Sequence, residues 1–182
     1  MSTVIKYSTI TFVILTLLAV GFIYSGIYPI GADKKHNALT FWALETLRKQ
    51  SIARASKNIQ VSPLDDPQLL LSGGADYNDM CAGCHLQPGQ KESDMSLGLY
   101  PKPPNLTLTS KEHGHAHDEG GHDDASTLAK QQFWVIKHGI MASGMAAFGP
   151  THDDERIWAM VAFLNKLPEL TPAQYQIITA RQ

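Results

Sequence analysis

The chain has 182 residues, 43% of them hydrophobic, with 15 Lys and Arg against 17 Asp and Glu, and two cysteines. The near-neutral total hides a split: residues 1–60 carry seven basic and two acidic side chains, whereas residues 61–182 carry eight and fifteen. So acidic a distal part argues against nucleic acid as a partner and points to a basic or apolar docking surface on whatever it meets. Both cysteines fall within one pentapeptide, which leaves no further thiol to bind a sulfur substrate.

The first element is apolar. Tyr7 to Ala32 contains no charged residue, and Ile10 to Ile27 is its most hydrophobic part. At about 1.5 Å per residue a helix over the uncharged stretch covers roughly 39 Å, against a hydrocarbon core of ~30 Å. Residues 1–32 are therefore read as a membrane anchor. A cleaved signal peptide is the competing reading, but its apolar region is shorter and ends at small residues one apart, and Ile30-Gly31-Ala32 has a large residue at the outer position. Tyr24, Tyr28 and Trp42 suit a membrane interface. Lys6 on one flank faces Lys34 and Lys35 on the other, so charge does not orient the segment.

Residues 33–67 form a connector. His36 to Asn58 has helix-forming composition, with Leu39, Trp42, Leu47 and Ile52 available for an apolar face and Arg48, Lys49, Arg54 and Lys57 on others. Three readings stand: a helix lying on an anionic membrane, a solvated spacer, and a helix docked on a neighbouring subunit. The run from Val61 to Pro67, with its two prolines, ends the connector.

Residues 68–182 hold the chemistry. Gln68 to Ala82 reads as a helix leading into Cys81-Ala82-Gly83-Cys84-His85, the attachment signature of a c-type haem, in which both thiols become thioethers and the histidine ligates the iron. A thioredoxin-like motif shares the cysteine spacing but needs a βαβ context, and zinc wants four ligands. His113 to Asp124, within a loop spanning 112–124, is rich in His, Gly and acids; it reads as a solvated insertion or as a copper or zinc site. Ala125 to His138 forms a third helix that Gly139 ends, with Phe133, Trp134 and Ile136 either walling a haem or packing helix on helix. The loop Gly144 to Pro150 offers Met145, a soft thioether suited to the second axial position of haem iron. Met141 competes with it; His138 and His152 are read as cap or surface residues and are only fallback ligands, while Met80 and Met160 are read as packing. Asp153 to Leu167 is the last predicted helix, with Thr151 and Asp154 as its N-cap pair and Pro168 closing it. Strand signals are weak throughout. The fold predicted is all-α, with a core small enough that haem must complete it.

From about Gly73 to Leu167 the chain resembles a class I cytochrome c domain. The resemblance rests on Gly73 and Tyr77 at intervals of four before Cys81, on the haem motif, on Pro104-Asn105-Leu106, and on Ile157 to Leu164 with Phe163 at an aromatic position. It departs at Ala146, where many relatives have proline. The resemblance implies one covalent haem c held by Cys81, Cys84, His85 and Met145, with His85 and Met145 as axial ligands. It also implies that the Pro104 carbonyl accepts the ring N–H of His85, although Pro101 and Pro103 lie beside it, and that Gly73 lets the last helix cross closely. Since haem is attached outside the cytoplasmic membrane in this family, the domain would be periplasmic on a single-pass protein of a bacterial inner membrane. The function implied is single-electron transfer between respiratory-chain partners such as a membrane oxidase or dehydrogenase. The alternatives are a permanent subunit of a larger membrane oxidoreductase, and a haem enzyme or gas sensor with an open iron site.

Overall fold

The computed structural model describes residues 2–109 and 125–180, and the His-rich loop falls outside them. The described residues are helical and contain no strand. They divide into two compact units, residues 1–34 and 35–182.

The first unit is the helix α1, Ser2–Tyr24. Its 23 residues span about 35 Å at 1.5 Å per residue. Thr3–Tyr24 is long and apolar enough to cross a membrane, a test that a signal sequence also passes. Two of its hydroxyls are satisfied internally: Thr9 Oγ1 donates to the Ile5 carbonyl and Thr16 Oγ1 to that of Phe12, each at 2.9 Å. A segment bound for hydrocarbon needs this, because no water is there to pair with.

In the second unit, α2 (Ala38–Ser56) starts at Asn37, whose side chain accepts from the Thr40 amide. Its Ile52 and Ser56 are buried, and the helix packs on α6 (Ala125–His138). The connector thus belongs to the same compact unit as the distal domain. Asp66 caps α3 (Pro67–Met80), with Pro67 supplying a pre-set first turn. The remaining elements are the short α4 (Ala82–His85) and α5 (Asp94–Gly98), then α7 (Asp154–Lys166), a 3₁₀ turn at Leu167–Glu169, and α8 (Pro172–Thr179).

The centre of the unit is the crossing of α3 and α7. A Cβ on Gly73 would stand 2.0 Å from the Ala159 carbonyl oxygen, so the backbones meet there only because the position is glycine. The run Ile157 to Leu164 is buried on every side, α3 and α6 covering it from two directions. Phe133 of α6 stacks on Trp158 with ring centroids 4.3 Å apart, which makes Phe133 and Ile136 core residues. Tyr77, Phe163 and Tyr175 form an aromatic cluster that brings α8 onto α3. Asp76 on α3 is buried, and Arg156 on α7 grips it with two hydrogen bonds of 2.6 and 2.7 Å.

Two local expectations are corrected. The N-cap of α7 is Asp153, which accepts from the Arg156 amide at 2.9 Å; Thr151 instead meets the Phe148 carbonyl and the His152 ring. The helix predicted through Ala82 breaks at Cys81, whose φ of −113° sets α4 apart from α3.

Candidate haem-binding site

The attachment turn is built by hydrogen bonds from both sides. Cys81 closes α3 by donating its N–H to the Tyr77 carbonyl, and the amides of Cys84 and His85 then return to the Cys81 carbonyl at 3.0 and 2.8 Å. That single helical turn puts two thiols and an imidazole within five residues. Leu86, at φ 74°, reverses the chain immediately afterwards. This positive-φ, extended conformation (ψ 170°) is unfavourable for any residue with a side chain, and Tyr77 holds it by donating its hydroxyl to the Leu86 carbonyl at 2.8 Å. Ser93 braces the other side, its hydroxyl on the Gly83 carbonyl at 2.6 Å.

The His85 ring is oriented by a segment nineteen residues on. Its Nδ1 lies 2.9 Å from the Pro104 carbonyl, and the Leu106 amide reaches back to the His85 carbonyl at 3.2 Å. Of the three neighbouring prolines, Pro104 is the one that meets the ring. Because a carbonyl only accepts, Nδ1 carries the proton and the Nε2 lone pair is left for a metal. Burial lowers the pKa of His85, against the opposing pull of the Pro104 carbonyl, which favours the neutral ring that ligation requires. Burial, followed by the charges of Asp76 and Cys84, pushes the Cys81 thiol up to about 12, so it is protonated at neutral pH before haem is attached.

The methionine loop is strapped to the end of α6. Gly139 leaves the helix at φ 66°, and a Cβ there would stand 2.7 Å from the Met145 carbonyl oxygen. The amides of Ile140, Phe148 and Gly149 donate to the carbonyls of Met145, Ile136 and Lys137 at 3.1, 3.0 and 2.9 Å. Ser143 Oγ receives the Met145 amide at 3.1 Å. The outcome separates the two methionines: Met145 is half-buried and packs against the core with Cys81, Met80, Leu106 and Phe148, whereas Met141 is 97% exposed. Met160 is buried within the core. His138 is exposed beside Trp134, and His152 is engaged with Thr151 and the Phe148 ring.

The donor set fits haem c. Two thiols sit on one turn, an imidazole has one nitrogen fixed and the other available, and the neutral thioether of Met145 packs, half-buried, against the core. Among the described residues no three His, Cys, Asp or Glu side chains cluster to hold a separate metal ion. A family described as cytochrome c oxidase, cbb3-type, subunit III, has a model that matches residues 68–164, more than half of the chain. The chain belongs to this family of c-type cytochrome domains. The match runs from the first turn of α3 to near the end of α7 and contains the whole candidate site. The cytochrome therefore carries covalently bound haem c, with Cys81 and Cys84 inside its domain, and is an electron-carrying protein. Neither the curated proteins nor the solved structures gave a match.

Several residues that shape the site carry no signal in the sequence. The pairing of Asp76 with Arg156 spans 80 positions, and the roles of the Tyr77 hydroxyl, Ser93 and Ser143 depend on carbonyls brought near by the fold. Only the N-cap of α5 is within reach of the sequence, since Ser93 and Ser96 form a reciprocal capping box.

Proposed function

We propose that this cytochrome is a membrane-tethered, single-haem carrier of electrons on the extracytoplasmic side of a bacterial inner membrane, with Cys81 and Cys84 as thioether attachments and His85 and Met145 as axial ligands. Residues 1–32 serve as anchor, 33–67 as connector and 68–182 as the cytochrome domain. The observation that carries the reading is the His85 ring held on the Pro104 carbonyl with Nε2 left over, with Cys81 and Met145 both packed against the buried core. Bound there, haem c supplies a one-electron ferric/ferrous couple. The chain contributes fixed donors: Pro104 holds the His85 tautomer, Tyr77 holds the reversal after it, and the straps from Gly139 to Gly149 hold Met145. Donors that keep their places in both redox states keep reorganisation small. The anchor confines diffusion to the membrane plane and raises the encounter rate with a membrane oxidase or dehydrogenase.

Optical and EPR spectra of the haem-loaded protein test the ligand set. Loss of the far-red band of sulfur-ligated ferric haem in Met145→Ala, with the band retained in Met141→Ala, is the expected result. A high-spin wild type that responds to carbon monoxide sinks the carrier in favour of an open iron site. A second reading, a permanent subunit of an oxidase complex, is favoured by the family's description. Stoichiometric copurification with a membrane enzyme in mild detergent would select it over the free shuttle.

A further inference from the structure

The helix α2 has two unlike faces. Ile52 and Ser56 are buried, and the helix packs on α6. Away from that contact Leu39 and Leu47, about 80° apart around the helix, are 72% and 67% exposed, and the other large apolar residues of its N-terminal half, Phe41, Trp42 and Leu44, are 43%, 63% and 49% exposed. Apolar side chains this large, exposed together on the N-terminal half of one helix, mark a surface that something covers. The same side continues into Arg54 and Lys57, both exposed and in no ion pair among the described residues, while Arg48 and Lys49 pair with Glu45 nearer the α6 side.

We propose that this outward face of α2 lies in the surface of an anionic phospholipid membrane, with Leu39, Trp42 and Leu47 among the upper acyl chains and Arg54 and Lys57 among the phosphate headgroups. Charge favours lipid as the occupant. Residues 35–60 carry five basic side chains and one acidic, and residues 61–182 eight and fifteen, so an anionic surface attracts α2 and repels the rest of the domain. A single orientation follows, with α2 down and the acidic cytochrome outward. Trp42 suits the boundary, since the indole buries its rings and keeps its N–H among polar groups. Covalent reach permits it. Thirteen residues separate the end of α1 at Tyr24 from Ala38, at most about 45 Å of extended chain. The proposal rests on the tether for this proximity alone, and the apolar stripe and its basic end are observed independently of it.

The test uses the full-length, haem-loaded protein with the haem held reduced. Both native thiols are consumed by haem attachment, so a nitroxide can be placed uniquely at Leu47→Cys, at Leu39→Cys as a second site, and at Ile177→Cys, an exposed position on α8, as the aqueous reference. In vesicles of phosphatidylcholine with phosphatidylglycerol, labels at 39 and 47 should lose their relaxation by a water-soluble nickel chelate and gain it from dissolved oxygen, with the reverse at 177. Raising the salt, or omitting phosphatidylglycerol, should restore part of the nickel access. Protein that floats with the vesicles while positions 39 and 47 stay open to nickel overturns the proposal and leaves the tether standing. Protein that does not float removes the tether and the proposal with it. Labels shielded in a stoichiometric complex with another protein, yet open to nickel in lipid alone, show that a protein covers the face and also overturn it.

Discussion

Two adjacent glycines in α3 make the helix crossing testable. In Gly73→Ala the new Cβ would meet the Ala159 carbonyl oxygen at 2.0 Å, its carbon at 2.3 Å and the Met160 nitrogen at 2.8 Å. An ordinary carbon-to-oxygen contact is about 3.3 Å, so the crossing must open by about 1.3 Å. The obstacle is backbone and has no rotamer to move to. A cost of about 3 kcal/mol follows, the upper end for overpacking, against about 1 kcal/mol gained from the helix preference of alanine. The net loss is about 2 kcal/mol, or about 4–8 °C in melting temperature for a domain of this size. Gly74→Ala is the control. Its Cβ would meet only the Phe163 ring at 3.0 Å and Ile178 Cγ2 at 3.2 Å, side chains that can yield by tenths of an ångström. There the strain and the helix preference offset each other to within about 0.5 kcal/mol. Guanidinium denaturation of the haem-loaded protein in detergent, followed by far-ultraviolet circular dichroism, measures both. Equal losses at 73 and 74, or none at 73, would refute the reading of the crossing as glycine-dependent.

Gly139→Ala should damage the site rather than the core, because the position combines a φ of 66° with a Cβ that would stand 2.7 Å from the Met145 carbonyl oxygen. The left-handed conformation alone costs about 1–2 kcal/mol, and a displaced methionine loop should weaken the far-red band of ferric haem while the helical dichroism is retained. Tyr77→Phe should cost about 1–2 kcal/mol at neutral pH by stranding the buried Leu86 carbonyl. Burial raises the Tyr77 phenol well above its ordinary 10, and raises Tyr175 to about 12. A folded pKa above the unfolded one gives stability that is complete below pH 10 and is lost as the pH climbs past it toward the folded value. The wild type should therefore lose stability between about pH 10 and 12, and the gap to Tyr77→Phe should narrow there; a constant gap across an alkaline denaturation series contradicts this.

Features encoded in a few neighbouring residues are legible in the sequence itself. The pentapeptide from Cys81 to His85 specifies covalent haem because thioether attachment and ligation need only one helical turn, and the uncharged run to Ala32 marks a candidate span because bilayer thickness sets its length. The third helix ends at Gly139 as its residue type requires. The short helix Pro172–Thr179 is not legible in the same way despite its capping Thr171 and Gln174, because its few apolar residues acquire meaning only against Tyr77 and Phe163.

Choices among like residues are left to the tertiary structure. Met141 and Met145 are equivalent thioethers as sequence letters, and the strap of the loop onto α6 half-buries Met145 and leaves Met141 exposed. Pro101, Pro103 and Pro104 are close neighbours in the sequence, and the path of the chain brings only the Pro104 carbonyl to the His85 ring. Asp153 rather than Thr151 caps α7 because Thr151 is already turned toward Phe148, and α2 gains a buried side only when α6 is beside it. Covalent chemistry and solvent preference act along the chain and can be read there. Partner selection depends on distances between remote segments, which only the packed core sets.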